Sequence, residues 1–210
     1  EDIRVVIVSG QGDKAFVAGA DIKEMDQMSP IQAFEYMTYA NDTFTRLSDL
    51  TQPTIAVLNG YALGGGLELA LSTDIRIGFE KTMVGFPEVG LGIIPGFAGT
   101  QRMSRLIGTS KTKELIYTAR IVKGNEAYDL GILNKLVPAE ELLSSAEELA
   151  KSIMKNAPLA VEKAKPVIQV GSELPLKNAI RLETEAEALL FSTEDKVEGM
   201  RAFVEKRKAV

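Results

Sequence analysis

The 210-residue chain contains neither cysteine nor histidine. Without cysteine it can form no disulfide bond, thiolate zinc site, iron–sulfur cluster or cysteine nucleophile. Without histidine it cannot hold a Ser-His-Asp triad or the usual histidine-ligated zinc site of a hydrolase. An enzyme of this composition must therefore take its acid–base chemistry mainly from Asp, Glu, Lys or Tyr. Any carboxylate in unusual surroundings is then a stronger candidate for a catalytic group.

No stretch of the sequence is apolar over the roughly 18 residues that a membrane-spanning helix needs. The formal net charge is −5 and the pI is about 5.0, which disfavours non-specific binding to nucleic acids or anionic membranes. We therefore expect no nucleic-acid partner and no membrane partner. The composition, 45% apolar and 25% charged, is typical of one globular domain or a domain with an appendage.

Short apolar runs alternate with helical patterns in the first half of the chain. Three runs bounded by glycine or polar residues are typical of buried parallel strands. These runs lie at 3–10, 54–60 and 74–79. Ser29, followed by Pro30 and Gln32, marks a helix start, and we expect that helix to run to about Leu50. The alternation predicts an α/β fold with parallel strands and helical crossovers.

Helical patterns dominate after Gln101, interrupted by one short strand pattern at 132–137. The helical patterns cover 100–107, 110–118, 125–130, 139–156, 158–171, 175–191 and the chain from about Ser192. We therefore expect an α/β core over 1–137, carrying the active site, and a helical C-terminal region over 138–210. Because the chain begins with Glu1 and enters a strand pattern at once, we expect it to be a fragment or to lack its original start.

The stretch GGGLELALSTD (64–74) places a carboxylate in apolar surroundings. Its three glycines follow a strand pattern and open a helix, so the backbone can approach a ligand and present free N–H groups at the positive helix end. Tight helix–strand packing explains the glycines equally well. Glu68 lies about one helical turn beyond Gly65, so both would project into one small volume. Alternatively, Glu68 is a structural carboxylate paired with Arg76, Arg102 or Arg105.

A second carboxylate, Glu88, follows a proline in the apolar, glycine-rich loop FPEVGLGIIPG (86–96). Taken alone, a solvated loop glutamate is the simpler interpretation. Together, Glu68 and Glu88 form the pair of carboxylates in apolar surroundings that acid–base catalysis without histidine needs.

A turn of small residues, VAGAD (17–21), offers a further backbone donor. Asp21 can cap a short helix over 22–28, and the turn has no other necessary role. The functional interpretation is that it presents a second N–H group facing the one near Gly65. Two such donors form an oxyanion hole for a carbonyl that becomes an enolate.

Two groups of charged residues in the C-terminal region have simpler interpretations. Glu183, Glu185 and Glu187 indicate a solvated helix face. The basic cluster of Lys206, Arg207 and Lys208 is typical of a soluble tail, although it could also hold a phosphate.

Five segments, taken in order, resemble the crotonase or enoyl-CoA hydratase/isomerase superfamily, and within it the bacterial short-chain enoyl-CoA hydratases (3-hydroxybutyryl-CoA dehydratases). The resemblance runs from Ile3 to the C-terminus. The segments are AGADIKEM, NGYALGGGLELALSTDIRI, FPEVGLGIIPGFAGTQRMSRLIG, EAYDLGILNKLVP and FSTEDKVEGMRAFVEKRK.

This resemblance implies a spiral of β-β-α turns, followed by C-terminal helices that build homotrimers or dimers of trimers. It implies an oxyanion hole made by the backbone N–H groups of Ala20 and Gly65. It also implies two catalytic glutamates, Glu68 and Glu88. Isomerases of the family typically keep only the second glutamate, so the pair favours hydration.

The resemblance further implies an acyl-CoA substrate, with CoA arriving as part of it, and neither a metal nor a separate cofactor. Contacts to that substrate are implied for Ala18, Ala20, Asp21, Ile22, Lys23, Gly65, Gly96 and Lys206. Lys206 would reach the CoA of a neighbouring subunit. The family's N-terminal β-hairpin, with basic residues that help to hold CoA, has no counterpart in this sequence, so the resemblance leaves open the first turn of the spiral and part of the contact with CoA.

We therefore predict an enoyl-CoA hydratase that adds water to 2-trans-enoyl-CoA to give 3-hydroxyacyl-CoA. The alternatives are isomerisation, thioester hydrolysis or decarboxylation on the same fold, or a non-catalytic acyl-CoA-binding relic. The expected compartment is the bacterial cytoplasm, with the mitochondrial matrix as the alternative.

Overall fold

The computed structural model describes residues 3–209, which divide into two compact units. The larger unit comprises Val6–Leu50 and Thr54–Leu149, and the smaller one contains Thr51–Pro53 and the chain from Ala150 onwards. The boundary falls inside the helix Leu142–Met154. The functional division expected at residue 137 stays a prediction.

The strands are short and all begin in the larger unit. They are β1 (Val6–Ser9), β2 (Ala15–Val17), β3 (Thr54–Val57), β4 (Tyr61–Leu63), β5 (Ile75–Gly78), β6 (Met83–Gly85), β7 (Ile121–Lys123) and β8 (Lys135–Leu136).

The helices become longer and more frequent towards the C-terminus. They are α1 (Ile22–Met25), α2 (Pro30–Ser48), α3 (Gly65–Leu71), α4 (Gly99–Ile107), α5 (Thr109–Thr118), α6 (Gly124–Asp129), α7 (Leu142–Met154), α8 (Pro158–Gly171), α9 (Leu176–Leu190) and α10 (Glu194–Val204). Two 3₁₀ turns, Glu88–Leu91 and Ala139–Glu141, complete the set.

A parallel sheet forms from the apolar runs that the sequence marks as strands. Its order is β1-β3-β5-β8, and the register pairs Val6 with Thr54 and Ile55 with Ile75. All four residues of β3 are buried. Burial on both faces explains why this strand is apolar without alternation, as in other parallel sheets.

A second sheet has the order β2-β4-β6-β7, with β7 antiparallel to β6. The chain thus contributes one strand to each sheet and then a helix, in the successive turns β1-β2-α2 and β3-β4-α3. The next turn, β5-β6-α4, passes through a 3₁₀ turn before its helix. This is the β-β-α arrangement that the resemblance implies.

Helix α2 begins where the sequence predicts. The Ser29 side chain accepts a hydrogen bond from the Gln32 N–H (3.4 Å), and the Gln32 side chain accepts one from the Ser29 N–H (2.9 Å). This reciprocal capping satisfies two backbone donors at the helix start. The helix ends at Ser48, two residues before the predicted end at Leu50.

The hydrophobic core of the larger unit lies around α3 and the second sheet. Leu58, Leu67, Phe86, Met103 and Ile132 are fully buried there. Close packing of α3 against β2 requires glycine at position 66, because a Cβ on Gly66 would overlap the Val17 carbonyl oxygen. The core therefore fixes the start of α3 against the chain segment that follows β2.

Helices α8 and α9 pack together in the smaller unit. The Lys165 ammonium group, mostly buried, donates a hydrogen bond to the Gln52 carbonyl oxygen (3.1 Å). Within the described chain α9 has no buried residue, so Leu176 and Ile180 are exposed. Between residues 3 and 209, no helix has both the length and the apolar character that crossing a membrane requires.

Candidate active site

The start of α3 lies directly against Glu88. Gly64, which precedes the helix, has a φ of +52°, in the left-handed region that favours glycine. A Cβ on Gly64 would lie 2.7 Å from Glu88 Oε1. Backbone conformation and lack of space therefore both require glycine at position 64. Without a side chain there, the Glu88 carboxylate can lie against the start of the helix that carries Glu68.

Glu68 is held by backbone donors. Its side chain is 1% exposed, and its Oε1 accepts hydrogen bonds from the N–H groups of Phe97 (2.8 Å) and Gly99 (2.7 Å). Gly99 is the first residue of α4, so the carboxylate also lies at the positive end of that helix. A buried carboxylate needs such donors, because loss of hydration otherwise makes its ionised form unstable.

Among the described residues, no arginine forms a salt bridge with Glu68. Arg76 donates to the carbonyl oxygens of Thr73 (2.8 Å) and Ile132 (2.7 Å). Arg102 acts on Glu68 electrostatically, but its buried Nη1 has no hydrogen-bond partner in the part of the chain that is described. A simple structural ion pair therefore does not explain why Glu68 is buried.

Burial raises the pKa of Glu68 to about 7, although the hydrogen bonds from Gly99 and Phe97 lower it. The negative charge of Glu88 raises this pKa further, and the charge of Arg102 lowers it. Glu68 can therefore gain or lose a proton near neutral pH, which is the range that general acid–base catalysis uses.

Burial also raises the pKa of Glu88 above its ordinary value. Its Oε2 is buried and, among residues 3–209, has no hydrogen-bond partner. Because the charge of Glu88 disfavours ionisation of Glu68, we treat the two carboxylates as interacting groups whose protonation is linked. This is the electrostatic arrangement in which one group acts as a base while the other acts as an acid.

Two backbone donors lie beside these carboxylates. A Cβ on Gly65 would lie 3.7 Å from the Ala20 nitrogen, so the two residues are neighbours. Throughout the described chain, the N–H groups of Ala20 and Gly65 have no protein acceptor. The arrangement supplies two unused donors, and their assignment as an oxyanion hole stays a prediction.

A cavity of about 140 Å³ brings these groups together. Its lining includes seven of the residues implicated by the resemblance. They are Ala18, Ala20, Ile22, Gly65, Glu68, Glu88 and Gly96. The described residues contain no cluster of three or more acidic side chains placed to hold a metal ion.

A sequence profile of the family described as enoyl-CoA hydratase/isomerase matches residues 1–210. The chain belongs to this family. It is similar to the short-chain-enoyl-CoA hydratase of Clostridium acetobutylicum, with 48% identity over 207 residues, covering 99% of this chain and 79% of that protein. It is also 44% identical to the crotonyl-CoA hydratase of Syntrophomonas wolfei, covering 99% of this chain and 80% of that protein.

The fold agrees with solved members of the enoyl-CoA hydratase/isomerase family. The crystal structure of an enoyl-CoA hydratase from Bacillus anthracis matches with a TM-score of 0.94 and 43% identity, covering 99% of this chain and 80% of that chain. The predicted α/β fold, a crotonase-like spiral of β-β-α turns with a helical C-terminal region, is confirmed.

Three of the predicted substrate contacts lie outside this cavity. Asp21 caps α1, where its Oδ1 accepts a hydrogen bond from the Lys23 N–H (2.9 Å). Lys23 is exposed, and Lys206 belongs to the smaller unit. The contacts predicted between these three residues and the CoA substrate stay predictions.

Five apolar residues that line the cavity are not among the predicted substrate contacts. Met25, Met37, Ile93, Ile94 and Phe97 lie there beside the carboxylates. Phe97 directly follows the glycine-rich loop at 86–96, so its proximity to Glu88 in the chain could have suggested it. Met37 carries no such signal, because one apolar residue on a helix is indistinguishable from ordinary core packing.

Proposed function

We propose that this chain is an enoyl-CoA hydratase, a hydro-lyase that reversibly adds water to a short-chain 2-trans-enoyl-CoA. The observation that carries the proposal is the presence of Glu68 and Glu88, both with raised pKa values, in one cavity with two unused backbone donors. The names of the similar proteins from Clostridium acetobutylicum and Syntrophomonas wolfei support the same reaction.

Glu68 would act as the base that activates water. Its Oε1 is engaged by two backbone donors, which leaves Oε2 as the oxygen that we assign to the water. Glu68 takes a proton from this water while the oxygen forms a bond to C3 of the enoyl group. The two fixed donors orient the carboxylate, which reduces the entropy lost in reaching the transition state.

Glu88 would complete the addition by giving its proton to C2. It thereby becomes a carboxylate while Glu68 becomes protonated, and exchange of a proton restores the starting state. Both carboxylates act from one cavity, which is consistent with addition of H and OH to the same face of the double bond. The opposite division of roles would balance equally, so the assignment of base and acid follows the family resemblance.

The N–H groups of Ala20 and Gly65 would bind the thioester oxygen. Negative charge moves onto this oxygen as water attacks C3, because the intermediate has enolate character. Donors that are already fixed and unpaired stabilise such charge without reorganisation, typically by about 3–4 kcal/mol for each donor removed in comparable sites. We therefore propose that these two residues form the oxyanion hole.

Cavity size supports a short acyl chain. The volume of about 140 Å³ lies well below the ~300–1,000 Å³ of pockets that enclose drug-sized ligands. The cavity would therefore hold the acyl end of the substrate, while CoA extends beyond it. Lys23 and Lys206, the latter from a neighbouring subunit, are our candidates for contacts with the CoA phosphates.

Exposed apolar side chains support assembly into a homotrimer or a dimer of trimers. Leu176 and Phe203, on α9 and α10, are 75% and 85% exposed. Apolar surface of this kind marks interaction sites when it is contiguous. Similarity to bacterial proteins supports a cytoplasmic location, with the mitochondrial matrix as the alternative.

The proposed reaction is tested with crotonyl-CoA and purified protein. Hydration removes the enoyl-thioester absorbance and produces 3-hydroxybutyryl-CoA, which mass spectrometry identifies by the gain of one water. No consumption of crotonyl-CoA would overturn the proposal. Conversion of a 3-enoyl-CoA to its 2-enoyl isomer without hydration would instead assign isomerase activity to the same site.

A further inference from the structure

One peptide group, between Gly96 and Phe97, links helix α2 to Glu68. Its N–H donates to Glu68 Oε1 (2.8 Å), and its carbonyl oxygen accepts a hydrogen bond from Asn41 Nδ2 (2.9 Å). Since a carbonyl oxygen can only accept, Asn41 must direct its amide nitrogen towards it. Asn41 therefore reaches Glu68 through a single amide plane.

Helix α2 supports the side chains of this segment as well as its backbone. The Phe97 ring packs against the rings of Tyr36 and Phe44, with centroids 5.8 Å apart in each pair. The Met37 side chain lies against Gly96 so closely that a Cβ there would overlap its sulfur. The segment is thus held on one side by side chains from residues 36–44 of the same helix, about two and a half turns.

The two donors to Glu68 differ in what fixes them. Gly99 belongs to α4, whose helical backbone sets the direction of its N–H. Phe97 lies in an irregular segment, so its N–H depends on neighbouring groups for its direction. Asn41 supplies the hydrogen bond on the opposite side of the same peptide group.

We propose that Asn41 is a positioning residue for the carboxylate of Glu68. Its amide fixes the plane of the Gly96–Phe97 peptide and, by bonding to the carbonyl oxygen, makes the N–H on the other side a stronger donor. A directed, strengthened donor stabilises the ionised form of Glu68. The expected change in the pH profile of kcat/KM rests on the proposed function, in which Glu68 acts as the base. The expected change in the pKa of Glu68 does not depend on that function.

The sign of the effect follows from the groups around Glu68. Charged groups that act on it are Glu88, from the 3₁₀ turn, and Arg102, from α4, and both are unchanged when Asn41 is replaced. A hydrogen bond to a carboxylate favours its charged form. Loss of the Asn41 amide should therefore raise the pKa of Glu68 and move the acid limb of kcat/KM to higher pH.

The experiment compares Asn41→Leu, which keeps the branched shape of the side chain but cannot donate, with Thr45→Leu on the exposed face of the same helix. Protein labelled with ¹³C at the glutamate side-chain carboxyl is titrated by NMR, and the Glu68 signal is assigned by its absence in Glu68→Gln. We expect the Glu68 titration in Asn41→Leu to shift upward by about 0.5 to 1 pH unit, a partial weakening of one hydrogen bond. The titration in Thr45→Leu should match that of the wild type.

Asn41→Ala is a second variant, which decides the question if Asn41→Leu does not fold. An unchanged Glu68 titration in a folded variant would overturn the proposal, as would a lower kcat with an unchanged pH profile. Failure of both variants to fold would assign Asn41 a structural role and also overturn it. If the wild type does not hydrate crotonyl-CoA, the proposed function fails, while the NMR titration still tests Asn41.

Discussion

Ionisable side chains have opposite surroundings at the cavity and on the C-terminal helices. At the cavity, Glu68 and Glu88 are buried wholly or in part, and neither forms an ion pair within 4 Å in the described chain. On α9, Arg181 and Glu185 are exposed and lie 2.8 Å apart. Beyond α10, Arg207 pairs with Glu205 (2.6 Å) at the protein surface.

The difference indicates where charge contributes to function. Exposed pairs contribute little to stability, because water screens them and their side chains lose entropy on pairing. Buried carboxylates without ion partners destabilise the fold, since each gives up hydration for incomplete compensation. Groups kept under such conditions, with pKa values moved towards neutrality, are typical of catalytic sites.

The largest expected effect comes from removing either buried carboxylate. Glu68→Gln and Glu88→Gln should each lower kcat by at least about 100-fold, because each removes a positioned acid or base. KM should change little, since the amide still fills the same space. Steady-state hydration of crotonyl-CoA measures both parameters.

Glu185→Gln is the matched control, because it removes an exposed carboxylate and should leave kcat unchanged. The double variant should lose little more than the worse single variant, since residues that act as a unit are not additive. Near-full hydration by Glu68→Gln would contradict the two-carboxylate mechanism and favour an isomerase.

Several elements could be predicted from sequence because their determinants are local. The strands β3 and β5 follow from apolar runs, and α2 follows from the Ser29 capping box. The second sheet could not be predicted from the residues themselves. Its three-residue strands are too short for an alternating pattern to be distinguished from a loop.

The site was predictable only in part for a similar reason. Glu68 and Glu88 attract attention because a carboxylate in apolar sequence is unusual. Their partners do not, since Phe97 and Gly99 contribute backbone N–H groups that every residue except proline possesses. The role of Asn41 likewise depends on a contact across 55 positions of the chain.

The second prediction concerns stability and pH. The carboxyl of Glu68 ionises near 4.5 when unfolded and near 7 when folded, so the folded state retains a proton that the unfolded state has lost. The free energy of unfolding should therefore fall as pH rises from about 4.5 to 7, by an amount on the order of 3 kcal/mol. Urea unfolding across this range measures the slope.

Glu68→Gln cannot ionise, so its stability should fall less over the same pH window. The pH dependence of unfolding free energy that remains in Glu68→Gln should become smaller when Glu88→Gln is added. Burial raises the pKa of Glu88 as well, so Glu88 contributes to this dependence with the same sign. An identical pH dependence in the wild type and Glu68→Gln would show that Glu68 titrates normally in the folded protein.

A smaller effect is expected from Arg102. Its positive charge lowers the pKa of Glu68, so Arg102→Gln should raise that pKa and move the acid limb of kcat/KM upward by about 0.5 to 1 pH unit. Lys111→Gln, an exposed charge removal on α5, is the control and should not move the limb. A shift to lower pH, or no shift, would mean that Arg102 does not stabilise the Glu68 carboxylate.

The smallest effect should come from the exposed basic tail. Arg207 is already paired with Glu198 and Glu205, whereas Lys206 has no ion pair in the part of the chain that the structure describes. Lys206→Gln should raise KM for crotonyl-CoA by at most about fivefold, the range of an exposed charge pair, with kcat unchanged. Steady-state kinetics at low and high salt would show the effect shrinking as ionic strength rises.

Lys177→Gln, on α9, is the control for this charge removal and should leave KM unchanged. If Lys206→Gln does not change KM at low salt, the tail is only a solvated helix end. Lys23 would then have to hold the CoA phosphates with other groups, and Lys23→Gln should raise KM where Lys206→Gln does not. Either result sharpens the contrast between the buried carboxylates and the exposed charges. A surface charge that contributes to binding should alter KM and its salt dependence, whereas the buried carboxylates should determine kcat.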